Sequence, residues 1–318
     1  MNRAVNAWDR FWFAPEATST LAIFRIAFGA VVLVWTLTLT HDAYDFFSSD
    51  GLLAQPLDFG DFGQRGIWSV LFVFESKAAV ALLMTLLAGA AACLMIGYRT
   101  RIAAIIVFVG IVSLEQRTLF VFNAGDGLLK IMAFWLMLAP SEASLSVDRL
   151  RTARERFWEF PARAPWALRM LQIQLSVIYV STVWAKVRGI TWDNGTAVSY
   201  ALRLEDLTRL PVPLAIADSE LISNFLTFGT LAVELALGVL VWNRKARPWV
   251  LLLGVGMHLS IEYSLRVGFF SFAMLTLYLV FVPPETASAW LLKVRRRLAR
   301  SRLGGRRSES LASQQQQV

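Results

Sequence analysis

Seven ionisable side chains in or beside long apolar stretches of this sequence are candidates for chemistry: Arg25, Asp126, Lys130, Lys186, Glu234, His258 and Glu262. A charge in an apolar interior is costly, so each of these needs a partner or a task. Asp126 and Lys130 are four residues apart, hence on one helix face, in the sign order that suits an intrahelical pair. His258 and Glu262 are also one turn apart. His41 is the only other histidine, so a metal site is not expected, and a hydrogen-bonded pair that orients a ligand is the better reading. Lys186 follows Ser181, Thr182 and Trp184 and precedes Arg188, Gly189, Trp192 and Gly195, where a helix gives way to a tight loop. An amine held in a low-dielectric cavity serves as a base. The plainer role is a lysine that snorkels to an interface. If Lys186 is instead half of a structural ion pair, Asp126 or Glu262 is the expected partner. Arg25 reads as a brace for the first apolar stretch.

The elements that carry these residues follow from composition. Of 318 residues, 56% are hydrophobic and 17% charged, and the mean hydropathy is +0.53. Soluble domains carry about a quarter charged residues, because their surface must be wetted. The chain therefore reads as all-α, a polytopic transmembrane helix bundle with the lipid bilayer as its principal partner. Eight apolar stretches are marked by their flanks: Thr20 to Thr40, Lys77 to Gly97, Ile102 to Phe122, Gly127 to Pro140, Trp166 to Val187, Leu221 to Trp242, Pro248 to Leu265 and Phe269 to Val282. About eight spans are expected, with a range of seven to nine, each needing about 20 residues. The fourth and eighth are short.

Orientation follows from the basic residues. Arg3 and Arg10, Arg99 and Arg101, the cluster from Arg149 to Arg163, and Arg244, Lys245 and Arg247 all fall on one side of the alternation, as does the tail from Lys293. Asp42, Asp45, Asp50, Asp58 and Asp61 crowd the first loop of the other side. Positive loops stay in the cytoplasm, which places both termini there, in a cell membrane. Asp126, Lys130, Lys186, His258 and Glu262 then fall in the outer half, Glu234 near mid-depth and Arg25 nearer the inner face.

Residues 1–15 form an interfacial segment with Trp8, Phe11, Trp12 and Phe13, residues 16–290 the membrane domain, and residues 291–318 a basic, low-complexity tail running into disorder. No small-residue cleavage pattern precedes the first stretch, and Arg25 interrupts it, so it reads as a retained anchor. The loops from His41 to Gly66 and from Arg188 to Glu220 are long enough to cap a cavity. The net charge of +8 sits in short loops and a tail, which argues against nucleic acid as a partner. A single cysteine, Cys93, excludes intrachain disulfides. Motifs for acyl transfer, nucleotides and dinucleotides are absent from the sequence.

The run Tyr179-Val-Ser-Thr-Val-Trp-Ala-Lys186-Val-Arg-Gly-Ile-Thr-Trp192-Asp-Asn-Gly195 resembles the Tyr…Lys…Trp…Gly segment of the HTTM superfamily, which includes the membrane domain of vitamin K-dependent gamma-carboxylase. Two further blocks agree, Phe122-Asn123 through Ser146-Val147-Asp148, and His258 through Gly268-Phe-Phe-Ser271-Phe-Ala-Met-Leu275. The resemblance implies a membrane protein that handles a reduced quinone such as vitamin K hydroquinone, with lyase and oxygenase chemistry if it is an enzyme. It assigns the base to Lys186 and matches Asn123 and His258 to family residues; together with Asp126, Lys130, Trp192 and Glu262 these are the expected ligand-binding residues. One departure matters. The carboxylase has a functional histidine two residues after the asparagine, where this sequence has Gly125. Its soluble carboxylase domain has no counterpart here either. Glutamate carboxylation is therefore not expected, and binding or oxidation of a quinol-like lipid is. The alternative is a non-enzymatic membrane partner in the export or maturation of a secreted peptide.

Overall fold

Local chemistry sets most of the helix boundaries. The computed structural model describes residues 3–52, 68–118 and 120–315. The reading at Asp58 and Asp61 lies outside them. The chain opens with α1 (Arg3–Phe13), an amphipathic helix with no buried residue. It continues through α2 (Ser19–Leu39), α3 (Lys77–Ile96), α4 (Thr100–Arg117), α5 (Ala124–Leu138) and α6 (Trp166–Lys186). Then follow α7 (Glu220–Val239), α8 (Arg247–Ser264), α9 (Phe270–Tyr278) and α10 (Pro284–Gln315). Each of the eight apolar stretches overlaps one of the helices α2 to α9 over most of its length.

Ser76 caps α3 by accepting from Ala79 N at 3.2 Å, and Ser219 caps α7 by accepting from Ile222 N at 3.4 Å. The third stretch ends at Arg117 rather than Phe122. There Arg117 Nε and Thr118 Oγ1 donate to the carbonyls of Phe47 and Phe46 at 3.2 and 2.7 Å, drawing the chain into the loop that follows α2. The fourth starts earlier than Gly127, because Asn123 caps α5. The basic tail is helical from Pro284, and its backbone stays helical to Gln315.

Among the described residues, three helices are long and apolar enough to cross a bilayer: α2, α3 and α7 with its continuation to Trp242. A fourth span arises if Phe270–Phe281 and Pro284–Arg300, bent by 104°, count as one. The remaining helices are shorter or more polar; α5 has 15 residues, and α6 carries Arg169, Gln172 and Gln174 in its first turns.

Small residues let these helices approach, which is how helix packing is achieved where lipid competes for apolar contact. Phe24, Phe28, Val32 and Trp35 of α2 are buried in the centre. A Cβ on Gly29 would lie 2.6 Å from Met95 N of α3, so α2 and α3 touch backbone to backbone. The end of α3 is closed by Gly97 at φ 78°, whose N–H returns to Cys93 and Leu94. Arg25 completes this closure. Fully buried, it donates from Nη1 to Leu94 O at 2.8 Å and from Nη2 to Leu145 O at 2.7 Å. The brace expected of Arg25 thus acts on the carbonyls that end α3, not on a carboxylate.

On the same face, Glu16 and Ala17 pair antiparallel with Arg163 and Ala162 in a two-stranded ribbon. On the opposite face the loop from Gly189 to Asp218 docks on α7 and on the end of α8. Ser223 Oγ donates to Gly195 O at 3.0 Å, Arg209 N to Ser264 O at 2.9 Å, and Arg266 N to Leu207 O at 2.6 Å.

Candidate functional site

Lys186 is the last residue of α6, and Glu234 lies fifteen positions into α7. The two form a direct ion pair. This corrects the expected partner of Lys186, which was Asp126 or Glu262. It also corrects the depths, since Lys186 and Glu234 share one level. The reason is the docked loop: it covers the first half of α7, so α7 extends past the end of α6 and brings Glu234 beside it. The indole of Trp192, in the short helix Ile190–Asp193 of that loop, lies 4.6 Å from the Lys186 ammonium. A cation between a carboxylate and an aromatic face is held from two sides.

A second group adjoins it. Tyr179 sits seven residues before Lys186, two turns along the same face of α6. Its hydroxyl lies 2.8 Å from His258 Nε2 of α8 and in hydrogen-bond contact with the hydroxyl of Tyr278 of α9. All three residues are buried. A Cβ on Gly254 would stand 2.6 Å from the Tyr278 hydroxyl, so this glycine makes the room that hydroxyl needs. Glu234 is close enough for its charge to act on both tyrosines. Two polar atoms of the combined network, Glu234 Oε2 and His258 Nδ1, are buried without a hydrogen-bond partner.

Asn123, Asp126 and Lys130 belong to another cluster. Asp126 does not pair with Lys130. Its carboxylate accepts from Trp35 Nε1 at 2.7 Å and from Asn123 N at 2.7 Å, closing a capping box with the Asn123 side chain. Lys130 turns instead to Glu115 of α4, a buried carboxylate the sequence reading did not single out. Three buried or half-buried charges across α4 and α5 thus settle into one ion pair and one cap. Asn123 is exposed, and its amide donates to Val267 O at 3.3 Å, tying α5 to the turn before α9. Phe270 links the two clusters, with its ring 5.5 Å from that of His258 and its Cα where a Cβ on Gly125 would lie 2.5 Å away. No side chain fits at position 125 without displacing that backbone.

Glu262 faces the docked loop. Arg209 Nη2 lies 2.6 Å from its Oε1, an ion contact without a well-directed hydrogen bond. It therefore holds the loop rather than pairing with His258. Among the described residues, no group of three His, Cys, Asp or Glu gathers as metal ligands. Tyr278 had no usable signal, being one aromatic residue among many, while Glu115 lay inside the third apolar stretch but was masked by Gln116 and Arg117 beside it. Glu234 did have one, a lone carboxylate in an apolar run.

No curated protein and no solved structure matches the sequence. A family model described as HTTM domain matches residues 13–286, from the end of α1 to the first turn of α10. With apolar helices of membrane-spanning length and that match over most of its length, this chain belongs to the HTTM-domain family of membrane proteins.

Proposed function

We propose that this chain is a multi-pass protein of the cell membrane that binds a hydroquinone-like lipid at the network of Tyr179, Lys186, Glu234, His258 and Tyr278. In this reading it crosses the bilayer about eight times, with both termini in the cytoplasm. The observation that supports ligand binding is the pair of orphaned polar atoms, Glu234 Oε2 and His258 Nδ1, in two adjoining buried groups. An unpaired buried polar group costs about 1–3 kcal/mol, so a ligand that satisfies both is bound with that cost recovered. With the imidazole proton on Nε2 and donated to Tyr179, Nδ1 is an acceptor, as is Glu234 Oε2. A hydroquinone offers two O–H donors on an apolar ring and so fits this donor set.

When bound, a hydroquinone supplies two electrons and two protons. The residues of the chain then have separable tasks. Lys186 becomes a base only by handing its proton to Glu234, which the direct pair makes an internal transfer. The Trp192 face holds the amine in place meanwhile. Tyr179 fixes the His258 tautomer, and Tyr278 fixes Tyr179. Glutamate carboxylation is not part of the proposal, because the position of the carboxylase histidine is Gly125, packed against Phe270.

The test is equilibrium binding of a short-chain hydroquinone, kept reduced, to the detergent-purified protein. Saturable one-to-one binding is expected, lost in the Lys186→Met/Glu234→Gln double variant. Non-saturable partitioning alone, in both proteins, contradicts ligand binding and leaves the non-enzymatic partner of a secreted peptide as the better reading.

A further inference from the structure

A cavity of about 590 Å³ opens at the face that carries the basic loops. It lies between the first turns of α6 and α8 and the bend from α9 into α10. Its polar lining includes Arg169, Arg244 and Arg247, and its apolar lining includes Leu168, Leu251 and Trp290. Arg169 and Lys186 are seventeen residues apart on α6, so the cavity's Arg169 is about 25 Å along that helix from the Lys186–Glu234 pair, with Tyr179 between them.

Its charges are unbalanced. Arg169 pairs with Glu16. Among the described residues, no carboxylate stands within 4 Å of Arg244 or Arg247, although Glu285 also lines the cavity. The charges of Arg244 and Arg169 both act unfavourably on Arg247. Arg247 is nonetheless anchored, with Nε donating to Val241 O at 2.8 Å. Like charges are thus held together beside an apolar hollow. At the bend, α10 leaves the α9 axis by 104°, the geometry of a helix turning to run along a surface, and Arg295, Arg296 and Arg297 of α10 are exposed.

We infer that this cavity binds one anionic phospholipid, with the phosphodiester on Arg244 and Arg247 and the first acyl carbons along Leu168, Leu251 and Trp290. A basic pocket between spanning helices is the expected receptor for an acidic headgroup. The apolar wall favours a lipid over a free phosphate, which would leave that wall bare.

Native mass spectrometry of the full chain tests this, with micelles doped with phosphatidylglycerol or phosphatidylcholine. One phosphatidylglycerol should be retained preferentially, and Arg244→Glu should reduce its retention about tenfold, a charge reversal at one headgroup contact. Arg244 is exposed, so the variant should keep wild-type thermal stability, and Arg244→Lys should retain most of the preference. Equal retention of both lipids, or a preference unchanged by Arg244→Glu, overturns the inference. Competition by millimolar inorganic phosphate that removes the lipid preference also overturns it, in favour of a small-anion site.

Discussion

Lys186 and Glu234 are where scaffold and chemistry meet. Glu234 is buried and Lys186 half-buried, so removing the lysine strands a buried carboxylate, at a cost of up to about 3–5 kcal/mol. Lys186→Met should therefore lower thermal stability in detergent markedly, while Lys186→Met/Glu234→Gln should regain most of it. If neutralising Glu234 restores nothing, the pair contributes no stability and Lys186 is held by other contacts. Glu234 was among the seven charged candidates read from the sequence, but its pairing was not. The pairing depends on how far α7 reaches past α6, and helix-to-helix register leaves no trace in hydropathy. The same limit misled the reading of Asp126 and Lys130. Spacing alone joined them, whereas Trp35 from α2 and Glu115 from α4 supply their actual partners. His258 was legible as a candidate, while its contacts with Tyr179 and Tyr278 were not, since they join three helices.

At the scale of elements, two glycines decide whether the parts that carry these residues stay in place. Gly195 has φ 76°, and a Cβ there would lie 1.6 Å from Asn224 Oδ1. Gly195→Ala should release the docked loop from α7 and with it the Trp192 indole over Lys186. The expected outcome is faster proteolysis within residues 189–218 and a change in Trp192 fluorescence, with the bundle otherwise folded. Unchanged proteolysis would mean that Ser223 and Arg209 hold the loop without it. Gly97 has φ 78°, and a Cβ there would lie 2.3 Å from Arg25 Nη1. Gly97→Ala should displace the guanidinium from the α3 carbonyls and lower the yield of folded protein. A wild-type melting temperature in that variant would show that Arg25 reaches its carbonyls by another route. The loop's docking was only partly legible. Its length suggested a cap, and Gly195 stood in a recognisable segment, but its seat on α7 and α8 comes from side-chain and backbone bonds between distant segments.

For the whole molecule, the apolar stretches were the most legible feature, because a run of side chains with nothing to offer water has few places to go. Each overlaps a helix, and the larger shifts, at Arg117 and Asn123, fall where a side-chain bond to a loop or a cap intervenes. The alternation of basic loops carries the orientation. A reporter active only in the cytoplasm should work when fused after Arg156 or Lys245 and stay silent after Arg209; activity after Arg209 would invert the docked loop and its site. The ligand is the central claim. Its most direct test is mass spectrometry of lipids extracted from the purified protein, alongside the Lys186→Met/Glu234→Gln variant at matched stability. A quinone should co-purify near one per chain with the wild type and fall below a tenth of that in the variant. Its absence from the wild type, or equal amounts in both, would contradict a ligand held by Lys186 and Glu234.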